Sequence, residues 1–568
     1  MRPAKSEPTR RYFLPRLTFQ SLTFLAAALA VFATSTTWAH EGEDESSHLP
    51  PLILGILDFP NSGSDDAQDA FDRGVKLLHS FEFDDARAAF LEAQSIDPGF
   101  AMAIWGEAMT LNHPLWAQQD RETALEVLAK LPLPAARKTT AREERYLDAV
   151  FVLYGESDKP SRDRAYRDAM RQMYEDYPDD LEAAAFYSLS ILGSVYERDF
   201  RTYMKAASIA EEVFARQPKH PGAAHYLIHS YDDQVHAPLG LRAARAYSKI
   251  APAASHAQHM VSHIYTSLGM WDEVVEANIT AVRVSEESMQ RSGRDVAMRS
   301  KHALHWLEYA LLQQGRFDEA RDALQMMKED VAALPNAGNR RHNAMLRASY
   351  AVEDPLAPRI LMPTDTTGLS LYDYAIDRFS TAFVAIAKGN TDTANLELAQ
   401  LKARIDAARV LSVEEGLHGD DSATSEDDFL LATIIAREIE ALLAFRNGDT
   451  DQAIRIMASA VEDENARPLY YGPPHVPKPS NELLGEMLLT LGRPDEAITQ
   501  FQISLGQNTS KSQSLLGLAR AQKAVGDNAA TQTWQQVESN WRGDINTIRN
   551  LEYIWLTSTA SSTAPSGD

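Results

Sequence analysis

Small, aromatic and proline residues recur along this chain with a period of about 34 residues. The clearest copy begins near Ala67, in the segment FDRGVKLLHSFEFDDARAAFLEAQSIDP. Its marker positions are a small residue, spaced alanines, an aromatic residue and a final proline, namely Gly74, Ala86, Phe90, Ala93 and Pro98. Small residues let two antiparallel helices approach closely, and the proline ends the second helix. Each helix pair then needs its neighbours to complete a hydrophobic core.

Further copies follow the same phase. The second begins at Ala101 and contains AIWGEAMTLNHPLW, and prolines close several later ones. The marker residues of the later copies are Pro178, Pro218, Pro252, Gly269, Ala281, Gly315, Ala320, Gly389, Ala394, Gly448, Ala453, Gly492, Ala497, Gly517 and Gly526. The pattern therefore extends over nearly the whole chain.

This pattern resembles the tetratricopeptide (TPR) repeat family over roughly residues 67–545. The chain is also similar to a group of exported bacterial TPR proteins that share HSFEFDDARAAF, MAIWGEAMTLNHPLW, AAHYLIHSYDD, HAQHMVSHI and KPSNELLGEMLLTLGRPDEA. The resemblance implies an all-α, right-handed superhelix (α-solenoid) of about ten to twelve helix hairpins. It also implies that the first helix of each hairpin lines a concave groove that binds a protein or peptide partner.

Composition changes divide the chain into segments. We expect a signal peptide at 1–39, an acidic flexible leader at 40–66, an N-terminal TPR array at 67–334, an irregular connection at 335–374, a C-terminal TPR array at 375–545 and a C-terminal segment with a disordered tail at 546–568. Four insertions break the period and are rich in turn-forming or acidic residues, so we expect loops at 284–295, 355–368, 414–428 and 470–480.

The first 39 residues predict export. Basic residues precede the apolar run LTFLAAALAVFA, and Thr37-Trp38-Ala39 is typical of a cleavage site. The string TRRYFLP resembles a twin-arginine signal, although an ordinary secretory signal with adjacent arginines also fits. No later stretch has the roughly 20 apolar residues that span a bilayer, so we expect a periplasmic protein without an integral membrane segment after cleavage.

Charge and cysteine content exclude several kinds of function. The formal net charge is −25, which disfavours nucleic acid as a partner because phosphates repel an acidic chain. The chain has no cysteine, so thiolate metal sites, disulfides and cysteine nucleophiles are excluded. Any metal must be bound by histidine, carboxylate or methionine side chains.

Histidines concentrate between Pro221 and Tyr309, where eight of the sixteen occur. Their spacings of three and four place them on one face of each helix. The resemblance implies that positions 2, 5, 9, 12 and 13 of each repeat face the groove. In the phase set by the glycines, alanines and prolines, these positions hold His225, His229, Asp232, Asp233, His256, His259, His263, His302, His305 and Tyr309. Only His236 among the eight histidines lies outside them.

This register predicts a transition-metal site. Neighbouring helices lie about 8–10 Å apart, so histidine pairs on two of them can converge on one ion. We expect His225, His229, His259 and His263 to be the first ligands, with His256, His302 and His305 in reserve, and Asp232 or Asp233 as a ligand or as a group that orients one. Imidazole suits Zn, Cu, Ni or Fe. The alternative is that these histidines are ordinary polar side chains bonded to their neighbours.

Two other functions stay open. The pair His225 and His229 has the ligand spacing of the zinc-peptidase motif HExxH, but Tyr226 stands where the catalytic glutamate belongs, so a peptidase is disfavoured. A metal-dependent hydrolase or oxygenase that uses histidines with an aspartate is the alternative function. A clamp for an acidic peptide is the other, although only Asn112 matches the groove residues of carboxylate-binding relatives, which also use lysines.

A smaller candidate ligand site lies in the first two repeats. It comprises Trp105, Met109, Asn112, His113 and His79, and Tyr309 is a further candidate contact. Aromatic and methionine residues at helical spacing also occur commonly as packing residues. From the sequence we therefore predict an exported TPR scaffold that binds a protein or peptide through its groove, with a histidine cluster for a transition metal.

Overall fold

A computed structural model describes residues 52–196, 198–357, 361–362, 365–415, 424–468 and 470–556. The predicted signal peptide at 1–39, the first part of the leader, the centre of the 414–428 insertion and the tail from 557 onward lie outside these residues. The fold described below is that of the remaining chain.

The described residues form 24 α-helices, which confirms the predicted all-α class. Those of the first half are α1 (Gln68–His79), α2 (Phe83–Ile96), α3 (Ala101–Met109), α4 (Arg121–Leu128), α5 (Ala141–Leu153), α6 (Lys159–Asp176), α7 (Leu181–Gly193), α8 (Phe200–Arg216), α9 (Pro221–Tyr231), α10 (Ala237–Ile250), α11 (Ser255–Ser267), α12 (Trp271–Ser292), α13 (Lys301–Gln313) and α14 (Phe317–Ala333). A short hairpin of β1 (Asn112–His113) and β2 (Gln118–Gln119) joins α3 to α4, with Asn112 paired to Gln119.

The second half continues with α15 (Ala337–Glu353), α16 (Leu371–Ala387), α17 (Thr391–Glu415), α18 (Glu426–Arg446), α19 (Thr450–Asn465), α20 (Ser480–Thr490), α21 (Pro494–Gln507), α22 (Ser512–Ala524), α23 (Ala529–Asn540) and α24 (Ile545–Arg549). Apart from α15 and α24, consecutive helices pair into hairpins in the described chain, from α1/α2 to α22/α23. Their number agrees with the predicted ten to twelve.

Glycine and phenylalanine account for the close stacking of successive hairpins. The Phe90 ring of α2 packs against Gly74 of α1 and Gly106 of α3, where an added Cβ would lie 2.7 and 2.3 Å from it. Phe501 of α21 lies in the same way between Gly485 and Gly517. One aromatic side chain thus joins two first helices, which explains the spacing of these residues in the sequence.

The structure differs from the sequence expectation in three segments. Residues 52–66 of the predicted flexible leader are packed, with Leu54 and Phe59 buried and the Ile56 amide donating to the Lys219 carbonyl. The predicted irregular connection contains α15, and the predicted loop at 284–295 is largely the end of α12. Acidic and polar composition suggested loops here, but buried apolar side chains such as Val284 and Met289 stabilise the helix.

The chain also folds back onto its central hairpins from both ends. Glu82, in the turn between α1 and α2, accepts a hydrogen bond from the His256 amide at the start of α11. From the other end, Ser512 donates to the Gln313 carbonyl, and Trp271 donates to the Ser510 carbonyl. These contacts cover the faces of α9, α11 and α13. Within the described residues, none of the helices combines the length and apolarity that crossing a bilayer requires.

Candidate metal centre

The central histidines form two groups, each built from two successive first helices. His225 and His229 of α9 meet His256 from the start of α11, and we call these the first tri-histidine group. His259 and His263 of α11 meet His302 from the start of α13 as the second tri-histidine group. In each group one ligand nitrogen per ring lies within 4.8 Å of the others. The prediction of one four-histidine site is therefore replaced by two three-histidine groups.

In the first tri-histidine group the three Nε2 atoms converge. The Nε2 of His225 lies 3.0 Å from that of His229 and 3.1 Å from that of His256. In the second tri-histidine group the Nε2 atoms of His259 and His263 lie 3.0 Å apart. Nitrogens bound to one ion at about 2.0–2.1 Å in tetrahedral geometry lie a little over 3 Å apart, so both groups have the spacing of a ligand set.

Hydrogen bonds at the opposite ring nitrogen determine which atom is available to a metal. The Nδ1–H of His225 donates to the His79 carbonyl (2.7 Å), that of His259 to Asn278 Oδ1 (2.7 Å) and that of His263 to Asp232 Oδ2 (2.5 Å). In a neutral imidazole only one nitrogen carries the proton. The Nε2 of each of these rings therefore has a free lone pair directed at its group, as metal-binding histidines require.

Burial disfavours the charged form of five of the six imidazoles. Removal from water, reinforced by the neighbouring imidazoles, lowers the pKa of His225, His229, His256 and His302 well below its ordinary value. The same causes lower the pKa of His259 to about 3. A proton would otherwise compete with a metal ion for the same lone pair, so this environment favours metal binding near neutral pH.

Aromatic side chains from distant parts of the chain flank both groups. The Phe81 ring lies 4.4 Å from the His225 ring between centroids, and Trp116 lies 6.2 Å from His256. On the other side Trp306 stacks on His263 at 4.2 Å, and Tyr471 lies 5.5 Å from the same ring. His229, His256 and His302 stay partly exposed between these aromatic residues. These aromatic side chains therefore narrow the groove around the two tri-histidine groups.

Three predicted members of the site lie outside the groups. His305 is near Ser349, 3.5 Å from its hydroxyl, and burial lowers the pKa of His305 to about 3. Asp233 accepts from His236 and pairs with Arg198, so it faces away from the ligand nitrogens. Asp232 places one carboxylate oxygen, Oδ2, on the Nδ1 of His263, and its buried Oδ1 accepts no hydrogen bond from the described residues. Of the two roles predicted for an aspartate, ligand or orienting group, the contact of Asp232 with His263 Nδ1 fits the orienting one.

A third cluster of similar composition has a different character. His79, Glu182 and His220 are fully buried, and Glu182 accepts from both histidines at 2.8 and 3.0 Å. The remaining ring nitrogens are also engaged, since Tyr226 donates to His79 Nδ1 and the Ala223 amide donates to His220 Nδ1. No lone pair of these rings is left for an ion. The cluster instead holds the His79 carbonyl that anchors His225.

The smaller predicted ligand site does not come together as one site. Trp105 is completely buried in the core, and His79 belongs to the cluster just described. Met109 and Asn112 line a pocket beside Phe81, and His113 stacks on Phe83 at 4.0 Å. Tyr309 lines a separate pocket with Gly472 and Trp271.

Sequence reasoning missed the residues that support the histidines from outside their own helices. The predicted site did not include Asn278, Glu182, His220, Phe81, Trp306 or Tyr471. The run of aromatic residues around Phe81 was a visible signal. Its contact with α9, 144 residues away, depends on how the whole array winds.

Comparisons with known proteins add little beyond the fold. Neither a scan against protein-family models nor a search of curated proteins gave a match. Among solved structures, the P58(IPK) TPR domain is 13% identical, with 81% of this chain and 98% of that chain covered and a TM-score of 0.21. Yeast Tom70 is 12% identical, with 83% and 92% covered and a TM-score of 0.30.

The human IFIT1 dimer with m7Gppp-AAAA is 13% identical, with 84% of this chain and 95% of that chain covered and a TM-score of 0.31. All three TM-scores are below 0.5, so the fold assignment depends on the helix hairpins of this chain. Nothing about its ligand or partner follows from these proteins.

Proposed function

We propose that this protein binds transition-metal ions through the two tri-histidine groups. The observation that carries the proposal is the convergence of Nε2 atoms at 3.0–3.1 Å, with Nδ1 protons of three rings held by acceptors outside the groups. Buried imidazoles that are simply structural usually have both nitrogens bonded to protein groups, as in the His79–Glu182–His220 cluster. Three neutral nitrogens directed at one point suit Zn(II), Cu(II), Ni(II) or Fe(II).

Metal stoichiometry tests the proposal. The full chain, purified without an affinity tag, is titrated with Co(II) and followed by its visible absorption. We expect two ions per chain, and one ion after either His229→Ala or His263→Ala, because each change removes a ligand from a different group. His305→Ala is the matched control and should retain both ions. The double variant His229→Ala/His263→Ala gives the background level of binding. If the parent protein has a normal helical circular dichroism spectrum and binds no more Co(II) than this double variant, the proposal is overturned.

Binding of a protein or peptide partner is a second proposal. It is supported by the helical-hairpin architecture, which in repeat proteins presents extended binding surfaces. Because aromatic residues flank the histidines, we expect a partner to contact the rim of the groove rather than the ligand nitrogens. Partner capture from the native compartment should then be unchanged by His229→Ala, and a loss of capture in that variant would place the partner at the histidines instead.

The alternative of a metal-dependent hydrolase or oxygenase with a histidine and aspartate ligand set is less well supported. Asp232 is bonded to a ligand ring and Asp233 to His236, so the ligand set we propose contains only imidazoles.

Periplasmic localisation after export is also part of the proposal and is supported by the sequence of residues 1–39. Fractionation of cells that express the full chain, with mass analysis of the mature N-terminus, tests it.

A further inference from the structure

The second tri-histidine group is a copy of the first, one repeat further along the chain. His259 and His263 occupy α11 as His225 and His229 occupy α9, and each pair is offset by one period of about 34 residues. The third ligand is in both groups the second residue of the next first helix, His256 in α11 and His302 in α13. The unit that builds a group is thus present twice in adjacent repeats.

The two groups are also close in space. The ring centroids of His229 and His263, which belong to different groups, are 6.1 Å apart, and those of His256 and His259 are 6.2 Å apart. These separations are within 0.1 Å of the 6.1 Å between His263 and His302, which belong to the same group. Helix α11 contributes to both groups, so an ion in one would be near an ion in the other.

The charge balance of such a pair requires a further ligand. Six imidazoles do not compensate two divalent ions. Of the two adjacent aspartates, Asp232 lies behind a ligand ring and Asp233 is paired with Arg198 and His236. Uncompensated charge in a half-buried site is costly, so an anion from solvent is favoured there.

We infer that the two tri-histidine groups form one dinuclear centre in which a small anion, such as hydroxide or a carboxylate, bridges the two ions. This inference rests on the metal binding proposed above. The anion would enter between two pairs of aromatic residues, Phe81 with Trp116 on one side and Trp306 with Tyr471 on the other. The partly exposed rings of His229 and His256 lie at this opening. Two ions that share a small ligand can polarise it from both sides, which a single ion cannot do.

Copper and azide provide the test. The full chain is loaded with two equivalents of Cu(II), and its electron paramagnetic resonance spectrum is compared with those of His229→Ala and His263→Ala loaded with one equivalent. We expect spin coupling in the parent protein, seen as a weakened signal or a half-field transition, and ordinary mononuclear spectra in the variants. Azide should bind with one ion per two Cu(II), and about tenfold or more weakly in the single-group variants, because one metal–anion bond is lost.

The outcomes separate the two ideas. Two bound Cu(II) ions whose spectrum is the sum of the variant spectra, with one azide per ion, would overturn the dinuclear centre and leave metal binding intact. Absence of stoichiometric copper would overturn both. His302→Ala provides a second route to a single-group protein, since His302 is partly exposed and its removal disturbs the core less than removal of His263. His305→Ala should behave as the parent protein in every measurement.

Discussion

Three histidines of the tri-histidine groups are positioned by hydrogen bonds on the side of the ring that faces away from the candidate centre. The acceptors differ in kind: a backbone carbonyl at His79, an amide oxygen at Asn278 and a carboxylate at Asp232. The carboxylate is the charged acceptor among the three, so it orients its imidazole most strongly. The two adjacent aspartates, Asp232 and Asp233, therefore have different roles although their local sequence is shared.

Asp232→Asn should weaken metal binding at the second tri-histidine group by about 10–100-fold, because the charge behind His263 is lost. The first tri-histidine group should keep its affinity. Competition of Zn(II) between the protein and a chelator measures the two constants. Asp233→Asn is the matched control, since Asp233 accepts from His236 rather than from a ligand ring. Equal effects of the two substitutions would contradict the assigned role of Asp232.

A histidine far from the candidate centre predicts how stability depends on pH. Burial, and secondarily the Arg467 guanidinium, lowers the pKa of His475 to about 4. In the unfolded chain the pKa of histidine is about 6.5, so between these values the unfolded state binds more protons. This group's contribution to stability is therefore complete above about pH 6.5 and decreases as the pH falls towards 4.

The measurement is the urea midpoint at pH 7 and pH 5 for the parent protein and for His475→Gln. We expect the parent to lose up to about 2 kcal/mol more than the variant between these pH values, since one pKa unit corresponds to about 1.4 kcal/mol. Arg467 donates to the Nδ1 of His475 and pairs with Asp427, so a glutamine can retain one acceptor for it. Identical pH dependence in both proteins would show that His475 is not responsible.

At the scale of elements, the glycines in the hairpin turns separate two contributions to stability, backbone strain and side-chain packing. Gly315 and Gly492 end the first helices α13 and α20 with φ of +68° and +72°. An added Cβ at Gly315 would lie 2.2 Å from the Trp541 ring, whereas at Gly492 nothing lies within 4 Å. The two positions therefore share the left-handed backbone and differ in their surroundings.

Gly492→Ala should destabilise the protein by about 1 kcal/mol, which is the cost of a left-handed conformation for an L-residue with a Cβ. Gly315→Ala should cost about 1–3 kcal/mol more, because Trp541 must move. Chemical denaturation of both variants gives the difference. If the two substitutions cost the same, the contact between the α13–α14 turn and Trp541 does not contribute to stability.

The length of α12 has a different consequence at this scale. The sequence predicted a loop at 284–295, but the helix continues to Ser292 and a short turn at Val296–Met298 leads to α13. The insertion therefore lengthens one helix pair without changing the register of the next first helix. This is why His302 occupies the same helical position as His256, and why the second tri-histidine group is complete.

At the scale of the whole molecule, the C-terminal end of the solenoid is not independent of its centre. Ordinary repeat arrays are stabilised by contacts between neighbouring repeats only. Here Arg542 pairs with Asp272 at 2.7 Å, and the amides of Arg542 and Gly543 donate to the Gln314 carbonyl. The final hairpin α22/α23 is thus attached to the turns of α11/α12 and α13/α14. We expect the central and C-terminal hairpins to unfold together.

Trp541→Ala should reduce hydrogen-exchange protection in both α22/α23 and the turn after α13, with a loss of about 3–5 kcal/mol in the free energy of unfolding, as for other buried tryptophans. Trp541 is 8% exposed and packs against both Gly315 and Phe317. Trp534→Ala, in α23 but away from α13, is the control. Loss of protection confined to α22/α23 would show that the C-terminal hairpin unfolds independently of the central hairpins.

The sequence by itself determined the helical class, the hairpin repeat and the histidine-rich face of α9, α11 and α13. These properties depend on local spacing: glycines, alanines and prolines mark the period, and intervals of three and four place His225 with His229 and His259 with His263 on one face. Residues three or four positions apart lie on the same face of any α-helix. These intervals can therefore be recognised without knowledge of the rest of the chain.

Only the tertiary structure decided how the histidines divide into groups and what surrounds them. His256 joins α9 rather than its own helix partners, and Phe81 and Tyr471 reach the candidate centre from both ends of the chain. The physical reason is that the winding of a solenoid is the sum of small rotations between many packed hairpins. A local sequence pattern does not predict the total rotation along the solenoid. The contacts that this rotation creates join residues more than a hundred positions apart.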